Sequence, residues 1–225
     1  MIKSQKLLIQ AVTKFLAGLC IIAGLLFLPA GTMHYKNGWI FIGILFIPML
    51  FMGIILFLKN PELQQKGLNA RESEPEQKKG VAFSGQLYLA GFVLSGLNYR
   101  FQWSVLPDLF VIIFSLVFLF GYSMYAEVLR ENAYLSRTVE VQENQQVIDT
   151  GLYGIIRHPM YTATILMFLS VPLVLGSWIS FLLFLCYPVI IVRRIRNEEK
   201  ILTEGLKGYP AYQKKVKYRL IPFIW

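Results

Sequence analysis

Residues 39–58 read WIFIGILFIPMLFMGIILFL, twenty positions without a charge, bounded by Lys36 before and Lys59 after. About 20 apolar residues in a helix match the hydrocarbon thickness of a bilayer, so this stretch is read as a membrane span. Working outward with windows of roughly 19 residues, five further runs qualify: Leu7 to Leu28, Val81 to Leu97, Leu109 to Val128, Tyr161 to Leu175 and Trp178 to Val192. The expected fold is therefore all-α and polytopic, with about six transmembrane helices. The last two spans are short and separated only by Gly176 and Ser177, which suggests a tight helical hairpin whose ends fall short of one face.

Composition supports this reading. The chain of 225 residues is 56% hydrophobic and 16% charged, against about a quarter charged in soluble domains. Collagen-like, disordered and disulfide-rich classes are excluded, and Cys20 and Cys186 lie inside apolar runs with neither the look of a disulfide nor that of a metal ligand. One membrane domain is expected, with residues 1–128 forming the first four spans and residues 129–225 the helical hairpin and C-terminal tail. A cleaved signal peptide is the competing reading of residues 1–31, but that apolar run exceeds the usual h-region of about 7–15 residues.

The net charge of +9 raises the question of nucleic acid, and its distribution argues against one. With six spans, 19 of the 22 Lys and Arg fall on one side, Lys36 and Arg100 fall on the other, and Lys14 lies inside the first span. Positive residues gather on the cytoplasmic side of membrane proteins. Both termini are thus expected to be cytoplasmic, and no nucleic acid is expected to bind. Asn60 to Gly80 is the one polar segment expected to be a mobile loop, and its stretch 71–79 reads as solvated. Strand-like alternation is confined to Thr138 to Gln142, so no parallel sheet or Gly-rich phosphate turn is expected.

Function is expected where polar residues crowd the membrane face, in 129–161 and 193–225. Pro159 opens an apolar helix at the first-turn position that suits proline. Such a helix start favours an anion through unpaired N–H groups and the positive end of its dipole. Arg157 and His158 flank it. The plainer reading is a basic collar, with arginine reaching lipid phosphates and Tyr153 and Tyr161 in the interfacial aromatic belt. Further on, Arg194 and Glu198 stand four apart, where a simple surface ion pair is possible. Adjacent Glu198 and Glu199 point about 100° apart on a helix, so one is expected to face inward, where a carboxylate suits ribose hydroxyls or a cation.

Taken in order, Gly151-Leu-Tyr153, Arg157-His158-Pro159-Met-Tyr161, the hairpin, Glu198-Glu199, Gly208-Tyr209-Pro-Ala-Tyr212 and Arg219-Leu-Ile-Pro222-Phe-Ile-Trp225 resemble the isoprenylcysteine carboxyl methyltransferase family, integral membrane enzymes related to the phospholipid methyltransferases. The resemblance covers residues 85–225. It implies S-adenosylmethionine as methyl donor, with His158, Tyr161, Glu198 and Glu199 as cofactor residues and Tyr153, Arg157, Pro159 and Tyr212 counted with them. Arg130 and Arg194 occupy places where the family has arginines near a substrate carboxylate. Ala163 stands where the family usually has glycine, which implies a less intimate backbone approach. Segment 132–142 looks like that of microbial members, which implies the inner membrane of a microbe and points away from a prenylated protein and towards a lipophilic carboxylate or amphiphilic lipid entering from the bilayer. Two other classes stay open: phospholipid or amine N-methylation, and an NADPH-dependent membrane reductase. A non-catalytic transporter or assembly factor is the third and is disfavoured by the few polar residues at mid-membrane, chiefly Gln86 and Ser95.

Overall fold

The computed structural model describes residues 2–69, 75–132, 134 and 145–225. Its elements are α1 (Ile2–Ala30), α2 (Lys36–Lys59), α3 (Pro61–Asn69), α4 (Pro75–Phe101), α5 (Asp108–Glu131), a 3-10 turn (Gly151–Gly154), α6 (Pro159–Val174), α7 (Trp178–Phe184), α8 (Cys186–Gly205) and α9 (Tyr209–Lys215). Among the described residues there is no strand, and the expected alternation at 138–142 lies outside them.

Five units are long and apolar enough to cross a membrane: α1, α2, α4, α5 and the α7–α8 run from Trp178 to Gly205. This is a polytopic membrane protein. α6 has 16 residues, about 24 Å at 1.5 Å per residue against a core of about 30 Å. The hairpin is therefore short in only one arm. The second arm continues through α8, which carries the charged residues beyond Val192 away from the apolar segment. Its break at Leu185 has a local cause. Pro188 has no N–H to donate to the carbonyl four residues earlier, so α7 ends at Phe184 and α8 begins afresh.

Three connections gather at one end of the bundle. Tyr35 Oη donates to the Leu175 carbonyl at 2.5 Å, Tyr99 Oη to His34 at 3.2 Å, and Asn98 Nδ2 to Ser104 at 2.9 Å and Gly176 at 3.2 Å. Gly176 holds φ +77, a backbone region that disfavours side chains, and an added Cβ there would displace Asn37 Nδ2, 2.8 Å away. The connections after α1, α4 and α6 thus share an end, as alternating spans require. α1, α2, α4, α5 and α6 enclose one core around Leu26, Phe41, Phe92, Phe118 and Val174.

The described residues of the expected loop at 60–80 are largely helical, and residues 70–74 lie outside them. Asn60 Oδ1 caps α3 by accepting from Leu63 N at 3.1 Å, and Glu76 to Lys79 already belong to α4. α3 returns to α1 through Gln10 Nε2 donating to Asn69 Oδ1 at 2.6 Å and Lys14 Nζ donating to the Leu68 carbonyl. That contact gives the one lysine inside the first span a polar partner. The Ala163 substitution is likewise absorbed: Ala163 is fully buried against Gly121 of α5, where an added Cβ would meet the Ala163 carbonyl at 3.0 Å. Close approach is kept by the glycine on the facing helix.

Candidate functional site

At the opposite end from the three connections, α5, the 3-10 turn, α6, α8 and α9 surround a cleft of about 100 Å³. Its described lining includes Asn132, Tyr153, Arg157, His158, Tyr161, Arg194, Glu198, Tyr209 and Tyr212. Seven of the ten expected site residues meet there. Pro159, Glu199 and Arg130 do not line it.

One hydroxyl joins the acidic and basic sides. Tyr161 Oη donates to Glu198 Oε2 at 2.5 Å and accepts from Arg194 Nε at 2.8 Å. Arg194 and Glu198 lie one turn apart on α8, and Tyr161, on the first turn of α6, stands against both. His158 Nδ1 is 4.0 Å from Glu198 Oε1.

Glu199 points away from the cleft and is buried. Its Oε1 receives Arg157 Nε at 2.8 Å and lies 3.2 Å from His158 Nε2, and its Oε2 receives Arg219 Nε at 2.8 Å. Arg157 also donates through Nη1 to the carbonyls of Val216 at 3.0 Å, Lys217 at 3.2 Å and Gln213 at 3.4 Å. This cluster ties α6, α8 and the segment after α9 together. A paired buried acid is what the adjacent-glutamate geometry allows, with Glu198 left as the acid of the cleft.

The residues just ahead of the helix start are held by the segment after α9. Arg157 N–H and His158 N–H donate to the carbonyls of Tyr218 and Arg219, each at 2.9 Å. Pro159 is N1 of α6, as expected. The segment after α9 is thus tied to the two residues that lead into α6.

Arg130 is the clearest departure. It forks onto Glu127, with Nη2 2.5 Å from Oε1, and its side chain is 72% exposed. Its neighbour Glu131 takes the inward position, where Oε2 accepts Leu152 N at 3.2 Å. Gly151, at φ +47, makes that contact possible, since a Cβ there would fall 1.7 Å from Glu131 Oε1. Asn132 Nδ2 donates to Tyr153 Oη at 3.0 Å and Tyr212 Oη donates to the Tyr153 carbonyl at 2.7 Å. Glu131 and Asn132 directly follow Arg130, but no motif of the sequence singles them out.

Tyr209 was also missed as a site residue. Its ring stands 5.7 Å from Tyr212, and its hydroxyl is buried without a hydrogen-bond partner. Burial pushes the phenols of Tyr209 and Tyr212 well above the ordinary range, with Glu199 and Glu198 adding to the effect at Tyr209. Burial also raises Tyr153, to about 12. All three are neutral hydrogen-bonding groups at physiological pH.

The segment that builds this cleft has known counterparts. Residues 108–207 match the phospholipid methyltransferase family. This is an integral membrane methyltransferase family related to the one the sequence motifs resemble, and its members generally use S-adenosylmethionine. The match runs from the start of α5 to just beyond α8. A curated relative, Delta(14)-sterol reductase TM7SF2 of Mus musculus, is 29% identical over 91 residues, covering 39% of this chain. The match spans 22% of that reductase's length.

Proposed function

We propose that this chain is an S-adenosylmethionine-dependent methyltransferase that esterifies the carboxylate of a lipophilic, isoprenoid-like acceptor. The carrying observation is the Arg194–Tyr161–Glu198 arrangement, an acid and a cation held side by side in one cleft where α8 emerges from its apolar half. In this reading residues 129–225 are the catalytic region, and the cleft and both termini face the cytoplasm of a microbe.

The cleft's residues fit this cofactor. It carries a cationic sulfur and an ammonium group, and Glu198 offers the complementary charge beside the rings of Tyr153, Tyr161, Tyr209 and Tyr212, whose faces attract cations and stack on a purine. The orphaned Tyr209 hydroxyl leaves a buried polar atom for a ligand to satisfy. When bound, S-adenosylmethionine supplies an electrophilic methyl group. Glu198, oriented by Tyr161, holds the cofactor. Arg194 holds the acceptor carboxylate, since a guanidinium presents a planar fork and keeps its charge. A carboxylate is already ionised at neutral pH, so no residue must remove a proton, and the protein's task is alignment. A lipophilic acceptor entering from the bilayer would leave its tail among the helices and bring only its head to the cleft.

The relative's name raises a reductase reading, and the cleft's charge weighs against it. NADPH carries several phosphates. Among the described lining residues Arg157 is committed to Glu199 and three carbonyls, and Arg194, set beside the negative Glu198, suits a single carboxylate better than several phosphates. The matched family raises N-methylation as a second reading, in which Glu198 would take the amine proton. The test is transfer of labelled methyl from S-adenosylmethionine to extracted lipids and prenylcysteine analogues. Release of the label as methanol by base supports the ester, base-stable label in the lipid assigns N-methylation, and no transfer overturns the methyltransferase reading.

A further inference from the structure

Beyond the cleft, the segment after α9 carries an unusual tip. Ile221, Phe223 and Ile224 are 49%, 87% and 76% exposed. Phe223 holds φ +66, a backbone region that bulky residues rarely adopt. The tip is fastened: the N–H groups of Arg219, Leu220 and Ile221 all donate to the Trp225 carbonyl oxygen at 2.9 to 3.2 Å, and Arg219 lies 5.1 Å over the Trp225 ring.

Its depth follows from what it touches. Leu220 packs with Tyr161, Tyr187, Ile191 and Ile195, and its carbonyl accepts from Thr162 Oγ1 at 2.8 Å. Ile191 and Ile195 straddle Arg193, the first charge after the apolar half of α8, so the tip sits at the level where the chain leaves the hydrocarbon. Exposed Lys214 and Lys217 lie just before it, and Tyr218 contacts Phe223 at 5.3 Å between ring centroids. Apolar and aromatic residues beside lysines complement an anionic headgroup layer.

We propose that residues 221–224 insert into the headgroup layer of an anionic leaflet, and that this contact steadies the cleft. The connection is short. Tyr218 and Arg219 accept the Arg157 and His158 N–H groups, and Arg219 grips Glu199. A bilayer that holds the tip therefore holds the residues behind His158. The insertion is independent of the methyltransferase reading, and only its effect on ligand affinity rests on that reading.

The test uses the full chain with Cys20→Ser, Cys186→Ser and Ile224→Cys, labelled with bimane in nanodiscs of phosphatidylcholine with or without phosphatidylglycerol. Lipid nitroxides near the headgroup should quench the label, and aqueous iodide should not. Phosphatidylglycerol should raise the inserted fraction relative to the exposed one by about tenfold, a size two lysines at an anionic surface can supply, and Lys214→Gln with Lys217→Gln should remove that gain. Quenching by iodide with none by lipid, in both nanodiscs, overturns insertion. Protection seen only in native membranes also overturns it and assigns the surface to a protein. For the coupling, Phe223→Ser with Ile224→Ser should weaken S-adenosylhomocysteine binding about tenfold, the scale of losing a moderate contact, and unchanged affinity overturns the coupling. If the protein with the unmutated tip also fails to bind S-adenosylhomocysteine, the methyltransferase reading fails while the quenching result stands.

Discussion

Arg219 Nε lies 2.8 Å from Glu199 Oε2, which fastens the segment after α9 to the middle of α8. The opposite carboxylate oxygen holds Arg157, whose side chain is only 7% exposed. Glu199 is therefore a keystone between three parts of the chain, and Glu198 beside it faces the cleft with Tyr161.

Glu199→Ala should destabilise the protein by about 3–5 kcal/mol, because it leaves Arg157 buried without its counter-charge. Arg219→Ala should cost less, since that side chain is 33% exposed. Thermal unfolding in detergent reads both, and an unaltered melting temperature in Glu199→Ala would remove the keystone role.

Arg194→Lys should lower methyl transfer strongly while leaving S-adenosylhomocysteine affinity close to wild type. An ammonium cannot reproduce the two-point hold on a carboxylate. Steady-state turnover beside a binding titration separates the two effects, and equal losses in both would place Arg194 with the cofactor. Arg130→Lys should be silent, because Arg130 pairs with Glu127 outside the cleft.

Alkaline titration should resolve a late group of tyrosines. Burial raises Tyr153 to about 12 and Tyr209 and Tyr212 further. For a group whose folded pKa lies above its unfolded value near 10, the stabilising contribution is complete below pH 10 and is lost as pH rises through about 12. Phenolate absorbance should show this late step, and Tyr153→Phe should remove one tyrosine from it. Ionisation of Tyr153 near pH 10 in the folded protein would contradict its burial.

Topology is open to a direct check. In a cysteine-free background, Lys36→Cys and Lys214→Cys should be labelled from opposite sides of the membrane, with position 214 cytoplasmic. Labelling of both from one side would undo the six-crossing arrangement.

The spans were legible in the sequence because a bilayer demands long uncharged runs, and the two ends of the bundle because lysine and arginine gather at one of them. Tyr161, Arg194 and Glu198 were legible through their motifs. Direction was harder. Neighbours on a helix point about 100° apart, so choosing Glu131 over Arg130, or giving Glu199 to Arg157 and Glu198 to the cleft, requires knowing what packs on each face. The partners that decide this lie far along the chain: Arg219 is 20 residues from Glu199, and Val216 is 59 from Arg157. The short α3 was hidden because its sequence is polar, and only its cap at Asn60 and its contacts with α1 distinguish it from a loop.

The central claim is that the cleft beside Glu198 takes S-adenosylmethionine. Calorimetric titration of the purified protein with S-adenosylhomocysteine, and separately with NADPH, tests it most directly. The account predicts saturable binding of S-adenosylhomocysteine, weakened about tenfold or more in Glu198→Gln as a charge-assisted hydrogen bond is lost, and no comparable binding of NADPH. Tight NADPH binding with none of S-adenosylhomocysteine would contradict it.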